Sequence, residues 1–364
     1  MNVAVVGVGL IGGSVGLAAR RRLGATVRGV DPAAGDRPLR AGAVDAMAGG
    51  LQEALDGADA AFVCVPVGAL AGVVADVLKV APPGCVVTDV GSTKRAVAMA
   101  TADERFVGGH PLAGAEAAGV EHARADLFDQ AAWYLTPTPA TSGVLLERLH
   151  RLLTGLGARP VAIDAEMHDR VMAAVSHLPH VVANVLVGQA AAVLGGRAPG
   201  RPAPGSGVPV IGPSFRDATR VAGAHPALWR EIYAANADAL AAAIDDALAR
   251  LQAARALLEA GDLDALGAWQ AAAGEDRRAL LEAGLAGGPL REVRLAVRNR
   301  PGVIAELALA LGRAGINIAD LALSPSADGT TGEVALWVPA DRAPEAARLS
   351  APLALGPVRG GAEA

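Results

Sequence analysis

At 364 residues the chain is too long for one hydrophobic core, and with 52% apolar and 19% charged residues it is globular and not disordered. A net charge of −5 without a basic block excludes a nucleic-acid binder. The two cysteines, Cys64 and Cys85, lie in strand-like runs, as reduced core residues of a cytoplasmic protein do.

The uncharged opening, residues 2–19, is not a signal or membrane segment: no basic residue precedes it, five glycines interrupt it, and Arg20-Arg21-Arg22 follows it. Within it, residues 3–6 form a short buried strand. Gly7, Gly9 and Gly12 follow in G-x-G-x-x-G spacing, ahead of a helical run over 15–23. The first glycine permits a tight turn, the second lets the backbone approach a pyrophosphate, and the third lets helix and strand pack closely. The N-terminus of that helix offers free N–H groups to the anion, and Leu10 and Ile11 in the loop count among the cofactor-binding residues. A second strand over 26–30 ends in Asp31, which accepts hydrogen bonds from ribose hydroxyls and repels a 2′-phosphate. NAD is the expected cofactor. Arg28 and Arg37 are the nearby cations that keep NADP open.

Strand-like and helical runs continue to alternate: a strand over 60–65 stopped by Pro66, a helix over 70–80 and a strand over 85–90. This predicts an α/β fold whose first domain is a Rossmann-type, doubly wound parallel sheet, with ligands at the carboxyl ends of the strands. The Val65-Pro66 turn and the segment Asp89-Val-Gly-Ser-Thr-Lys94 face that edge. Lys94 is one of only two lysines in a chain that otherwise uses arginine. It reads either as a solvated residue behind a Ser92 helix cap or as part of a polar cluster beneath the nicotinamide. A further strand runs into Gly108-Gly109-His110. Just past the strand end, His110 is either a loop histidine or a general base on the cofactor edge. A strand over 131–136 and a helix over 143–156 complete this domain, assigned to 1–161.

From residue 162 helical periodicity takes over. Ser176-His-Leu-Pro-His180 puts His177 and His180 on one helical face, with Pro179 kinking the helix between them. They line a substrate cleft or sit in the core. A metal site would need His168 or Asp169 as a further ligand, and no metal-ligand pattern surrounds them, so no metal is expected. Residues 195–213 read as a flexible Gly/Pro-rich insertion, and Phe215-Arg-Asp-Ala-Thr-Arg220 as a charged helix start with Asp217 as cap and Arg220 solvated. Long Ala/Leu-rich helices over 226–260 and 262–286 carry apolar faces that call for a partner. The second domain, 162–288, is thus mostly helical and dimerising, in a homodimer. Beyond it a βαββα series, closed by a short strand near Leu353, predicts a small ferredoxin-like domain over 289–364.

Over about residues 1–285 the chain resembles the prephenate/arogenate dehydrogenase family of tyrosine biosynthesis. The resemblance rests on the glycine loop, Asp89-x-Gly-Ser-Thr-Lys94, Gly109-His-Pro-Leu-Ala-Gly114, Ser176-His-Leu-Pro-His180 and Phe215-x-Asp-x-Thr-Arg220, five motifs in the family's order. One departure stands out. After the Gly-His-Pro block the family has Thr or Ser and then Glu, whereas this chain has Ala115 and Glu116, so a hydroxyl contact is missing. Residues 291–350 are similar to amino-acid-binding ACT domains, through Asn299-Arg-Pro-Gly-Val-Ile304 and Gly315-Ile-Asn-Ile318. The resemblance implies that Asn299 and Asn317 contact an effector, for which tyrosine, the end product, is the obvious candidate.

The implied reaction is oxidative decarboxylation of a cyclohexadienol. Hydride leaves C4 for the nicotinamide, the 4-hydroxyl loses its proton, and the ring carboxylate leaves as CO2. By resemblance, His110 accepts the hydroxyl proton and Ser92 orients that hydroxyl or His110. Arg220, positioned by Asp217, holds a substrate carboxylate, and His177, His180 and Glu116 contribute to the substrate cleft at the junction of the first two domains. The expected substrate is prephenate. Arogenate is the alternative, and a non-catalytic NAD- and amino-acid-responsive regulator is a reading from another class.

Overall fold

The computed structural model describes residues 1–114, 118–193, 212–285, 290–326 and 329–363. Glu116, nearly all of the Gly/Pro-rich insertion and the linker ahead of the third domain lie outside them. The chain divides into two compact units: Met1–His168 together with Ala272–Ala364, and Asp169–Ala271.

The first unit is built on an eight-stranded sheet. Its strands are β1 (Asn2–Val6), β2 (Thr26–Val30), β3 (Ala46–Met47), β4 (Ala60–Val63), β5 (Val86–Asp89), β6 (Phe106–Pro111), β7 (Ala132–Thr136) and β8 (Arg159–Ala162). They lie in the order β3-β2-β1-β4-β5-β6-β7-β8. β4 and β5 are buried along their whole length, as central strands covered on both faces are; β4 is wholly apolar, whereas β5 ends in the buried polar pair Thr88 and Asp89. From β3 to β6 every pairing is parallel. The parallel sheet stops there: β7 runs antiparallel to β6, and β8 is parallel to β7. Among the described residues the link from β6 to β7 holds only the short turn Val120–His122, with no crossover helix, so the chain re-enters in the opposite direction. The helix Gly143–Gly155 provides the crossover from β7 to β8. The strand order reverses between β1 and β4, and the Gly7 turn and the Val65-Pro66 turn both follow these two strands.

The C-terminal residues form a second, four-stranded antiparallel sheet of β9 (Leu290–Arg298), β10 (Asp320–Pro325), β11 (Thr331–Pro339) and β12 (Arg359–Glu363), in the order β10-β11-β9-β12. Helix Ala343–Ser350 packs on it and on helix Val303–Arg313, whose buried residues share one hydrophobic core with those of the sheet. The closing strand comes later than expected. Around Leu353 the chain makes a helical turn, Ala351–Leu353, containing Pro352, and only a single bridge joins Ala354 to Val297.

This sheet is not a tethered appendage. The Val303–Arg313 helix packs on the Gly143–Gly155 helix and on β8, and Ile304, Leu307 and Leu311 share one hydrophobic core with Leu146, Leu149 and Leu153. The Gly302 N–H donates to the Thr141 carbonyl at 3.1 Å. Gly302 has φ +84°, and a side chain there would meet the Pro139 carbonyl oxygen at 2.3 Å, so the contact depends on glycine. At the far end of the same helix, Arg313 Nε lies 3.8 Å from Asp164 Oδ2.

The second unit is helical, through Leu178–Val193, Pro213–Thr219, Pro226–Ala235, Ala237–Ala260 and the start of Leu263–Leu285. Pro179 is the second residue of its helix, and the π-helical turn Ala173–His177 just before it loosens the ladder that the proline cannot join. Asp217 lies inside the Pro213–Thr219 helix and does not cap it; Gly212 holds that position. Val175, Val185, Leu251, Leu258 and Trp269 are exposed on these helices. Among the described residues, the run Ala165–Val193 is the one helix long and apolar enough to cross a membrane by length and composition.

Candidate active site

Gly7 takes φ +89° and donates its N–H to the Val30 carbonyl at 2.9 Å, tying the end of β1 to the end of β2. Asp31, next in the chain, folds back on the same loop: its Oδ2 accepts from the Val8 N–H and its Oδ1 from the Ala33 N–H, both at 2.9 Å. A side chain on Gly12 would meet the Gly7 carbonyl oxygen at 2.1 Å, whereas one on Gly9 would meet nothing within 4 Å. Gly12 therefore closes the packing and Gly9 leaves the approach open. The helix Leu10–Leu23 begins with no side-chain cap, so no side chain takes up its first N–H groups. A dinucleotide fits this arrangement. Both nearby arginines are engaged elsewhere. Arg37 donates to the carbonyls of Ala33 and Ala34 and pairs with Glu121, and Arg28 donates to the Asp56 carbonyl. Val65 is half-buried and Pro66 exposed beside the loop, after β4. Burial pushes the nearby Cys64 thiol far up and the Cys85 thiol up to about 12, and both cysteines are free.

At the end of β5 the two readings of Lys94 are decided against solvent. Lys94 and Asp89 are both fully buried and form an ion pair. Asp89 Oδ2 also accepts from the Gly91 N–H at 2.8 Å, and its Oδ1 accepts from the Gly109 N–H at 3.0 Å. One carboxylate thus binds β5, the loop after it and β6 together. The following helix, Arg95–Met99, is capped at Lys94 and not at Ser92, which is half-buried in the loop. A side chain on Gly109 would meet the Asp89 carbonyl oxygen at 2.5 Å, so β6 approaches β5 only because glycine precedes the histidine.

His110 lies within β6, not past its end, directly opposite Tyr134 of β7. Its Nδ1 is 2.9 Å from Nε2 of His168, which comes from the helix Ala165–Met172 and is fully buried. The His168 ring sits edge-on to both, 5.1 Å from the His110 ring and 5.5 Å from Tyr134. His168, weighed in the sequence only as a possible metal ligand, is a hydrogen-bond partner of His110.

In the second unit, His177 and His180 converge on Trp229. His180 stacks on the indole at 3.4 Å and His177 meets it edge-on at 5.9 Å. His177 is buried, and its Nδ1 lies 3.2 Å from the amide nitrogen of the buried Asn236, which also donates to the Asp169 carbonyl at 2.7 Å. An amide nitrogen only donates, so His177 Nδ1 is the acceptor. Burial, and next the Arg220 charge, hold His180 below the usual imidazole range. Arg220 is exposed at the start of the turn Arg220–Gly223, and Asp217 is exposed one turn earlier. In the C-terminal sheet the Asn299 amide donates to the Gly329 carbonyl at 2.9 Å. The side-chain oxygen of Asn317 is buried and accepts no hydrogen bond from the described residues.

Residues 15–162 match the nucleotide-binding domain of prephenate dehydrogenase, and residues 164–271 match its dimerization domain. The chain belongs to the prephenate dehydrogenase family. A cyclohexadienyl dehydrogenase of Zymomonas mobilis is 33% identical over 275 residues, 73% of this chain and 91% of the relative. A prephenate dehydrogenase of Bacillus subtilis is 29% identical over 362 residues and covers 91% of this chain and 90% of its own length, so that match reaches into the C-terminal sheet. Among solved structures, prephenate dehydrogenase of Aquifex aeolicus in complex with hydroxyphenyl propionate and NAD+ has a TM-score of 0.67 at 28% identity, over 77% of this chain and 98% of that one. Arogenate dehydrogenase of Synechocystis has the same score and identity over 77% and 100%.

Three residues of this family member were not singled out in the sequence: His168 as a partner of His110, Asp89 as the buried anchor, and Trp229 beneath His180. Trp229 is one of only four tryptophans in the chain, and that scarcity was the available signal.

Proposed function

We propose that the chain is an NAD-dependent prephenate dehydrogenase, converting prephenate to 4-hydroxyphenylpyruvate and CO2. The observation that carries this is His110: it stands on β6, in the sheet whose β1 loop fits the dinucleotide, and its Nδ1 is hydrogen-bonded to His168, which assigns proton transfer to the other ring nitrogen, Nε2. NAD, when bound, supplies the acceptor for the C4 hydride. His110 in its neutral form takes the 4-hydroxyl proton at Nε2 and returns it once the ring is aromatic, so the proton balance closes without another base. Ser92 orients that hydroxyl. Arg220 holds a substrate carboxylate through its planar fork, with Asp217, His177, His180 and Glu116 as further substrate contacts. Loss of CO2 from the oxidised ring is driven by aromatisation, which leaves the protein to orient the substrate and exclude wrong protonation states. Asp31 and the engaged Arg28 and Arg37 favour NAD over NADP. A second copy of the chain covers the exposed apolar residues of the helical unit, in a homodimer.

The C-terminal βαββαβ sheet is read as an ACT domain that binds tyrosine through Asn299 and Asn317. The buried oxygen of Asn317, which has no donor among the described residues, supports this, since such a group calls for one. Steady-state kinetics with prephenate and arogenate, each with NAD and NADP, test the assignment. Prephenate with NAD is the expected best pair. Higher kcat/KM with arogenate would favour the second reading, for which the Synechocystis likeness speaks, and no NADH with either substrate would refute both.

A further inference from the structure

We infer that His168 is a positioning residue for His110, holding its Nδ1 so that the catalytic nitrogen is presented in the reactive protonation state. The inference rests on the reading of His110 as the base. Two imidazoles joined through Nδ1 and Nε2 at 2.9 Å share one hydrogen between them. Once His110 has accepted the substrate proton it carries hydrogen on both ring nitrogens, and its Nδ1 can then only donate. His168 must at that moment be a neutral acceptor.

Its surroundings select that state. His168 is in the first turn of the helix Ala165–Met172, where the N-terminal end of the helix dipole opposes a positive charge. Asp164 fixes this turn: its carboxylate accepts from the Met167 N–H and its carbonyl from the His168 N–H, both at 2.8 Å. The ring is fully buried and seated across the His110–Tyr134 pair, so it has no room to swing away. A neutral imidazole here does for His110 what a carboxylate does in a Ser-His-Asp triad, fixing ring orientation and tautomer, without a second buried negative charge near the substrate carboxylates. The hydrogen bond becomes charge-assisted when His110 is protonated, and such bonds are worth roughly ten- to hundredfold in rate.

The test compares His168→Phe, which keeps the ring and removes the acceptor, with His168→Gln, whose amide oxygen lies near the lost Nε2. In the full-length enzyme, His168→Phe is expected to lower kcat about 10- to 100-fold, with KM for prephenate and affinity for NADH within about threefold of wild type. His168→Gln is expected to recover at least about tenfold of a hundredfold loss. A kcat within threefold of wild type in His168→Phe, or equal kcat in the two folded variants, overturns the inference. If His168→Phe does not fold, His168→Gln decides alone: a kcat more than about 100-fold below wild type overturns it. His110→Asn is measured alongside. A near-normal kcat there would show that the reading of His110 is wrong, whereas an inactive His110→Asn with a fully active His168→Phe would remove only the role of His168.

Discussion

Replacing Lys94 by Met tests whether the buried ion pair organises the catalytic edge. The substitution keeps the chain length and removes the charge, leaving Asp89 fully buried with the Gly91 and Gly109 N–H donors. Breaking one side of a buried pair costs about 3–5 kcal/mol, and the two surviving donors place this case near the lower end, about 3 kcal/mol. For a unit of this size that corresponds to a fall in Tm of roughly 6–12 °C. Asp89→Asn alone exposes the opposite fault, a buried lysine that has lost its carboxylate. It also turns an amide N–H toward one of the glycine N–H groups, but that clash is common to Asp89→Asn and to the double variant and cancels in the cycle. The double-mutant coupling read from urea unfolding should then be at least about 2 kcal/mol. Because Asp89 holds the Gly109 N–H, next to His110, kcat should fall in Lys94→Met as well. A coupling under about 0.5 kcal/mol, or an unchanged Tm, would show that the pair is dispensable and that β6 is held by its strand partners alone.

Wild-type enzyme should show a kcat/KM for NAD at least about tenfold above that for NADP, equivalent to about 1.4 kcal/mol, and Asp31→Ala should narrow the gap; equal efficiency in the unmodified enzyme would refute the role of Asp31. Arg220→Ala should act mainly on KM for prephenate, since a carboxylate clamp binds ground and transition states alike. The same variant should let the His180 pKa rise, because one of the two influences holding it down is the Arg220 charge, while burial continues to keep it below the ordinary value; an imidazole proton NMR titration reads this directly. On the proposed reading of the C-terminal sheet as a tyrosine site, Arg313→Ala should weaken inhibition by tyrosine without changing kcat in its absence. The bridge to Asp164 is largely exposed on the arginine side and worth under about 1 kcal/mol, so a loss of more than about fivefold would mean that Arg313 does something else.

What could be read along the chain was whatever depends on near neighbours. The glycine loop, the strand before it and Asp31 are local features, and turn chemistry and apolar runs suffice to place them. The helical character of 165–193 and the βαββα pattern near the C-terminus follow from periodicity in the same way. Lys94 shows where this stops. Its rarity marked it as unusual, but whether it met water or Asp89 depended on Gly91 and Gly108 lying close against it, and these residues come together only when β5 and β6 pair.

The remaining features were decided by contacts between distant residues. His110 and His168 are 58 positions apart, and only the return of β7 antiparallel to β6, followed by the crossover to β8, carries the helix bearing His168 onto the His110–Tyr134 pair. Strand direction leaves no trace in a period-two pattern, because both orientations bury the same side chains. The seating of the C-terminal sheet is similar: Gly302 against Pro139 and Ile304 against Gly143 join segments that share no periodicity, and shape complementarity alone matches them. The sequence therefore determined the dinucleotide loop, the succession of strands and helices and which positions carry polar or titratable side chains, each set by local backbone preference and side-chain type. Tertiary structure decided which of those residues touch, because packing energy depends on neighbours that the linear order does not contain.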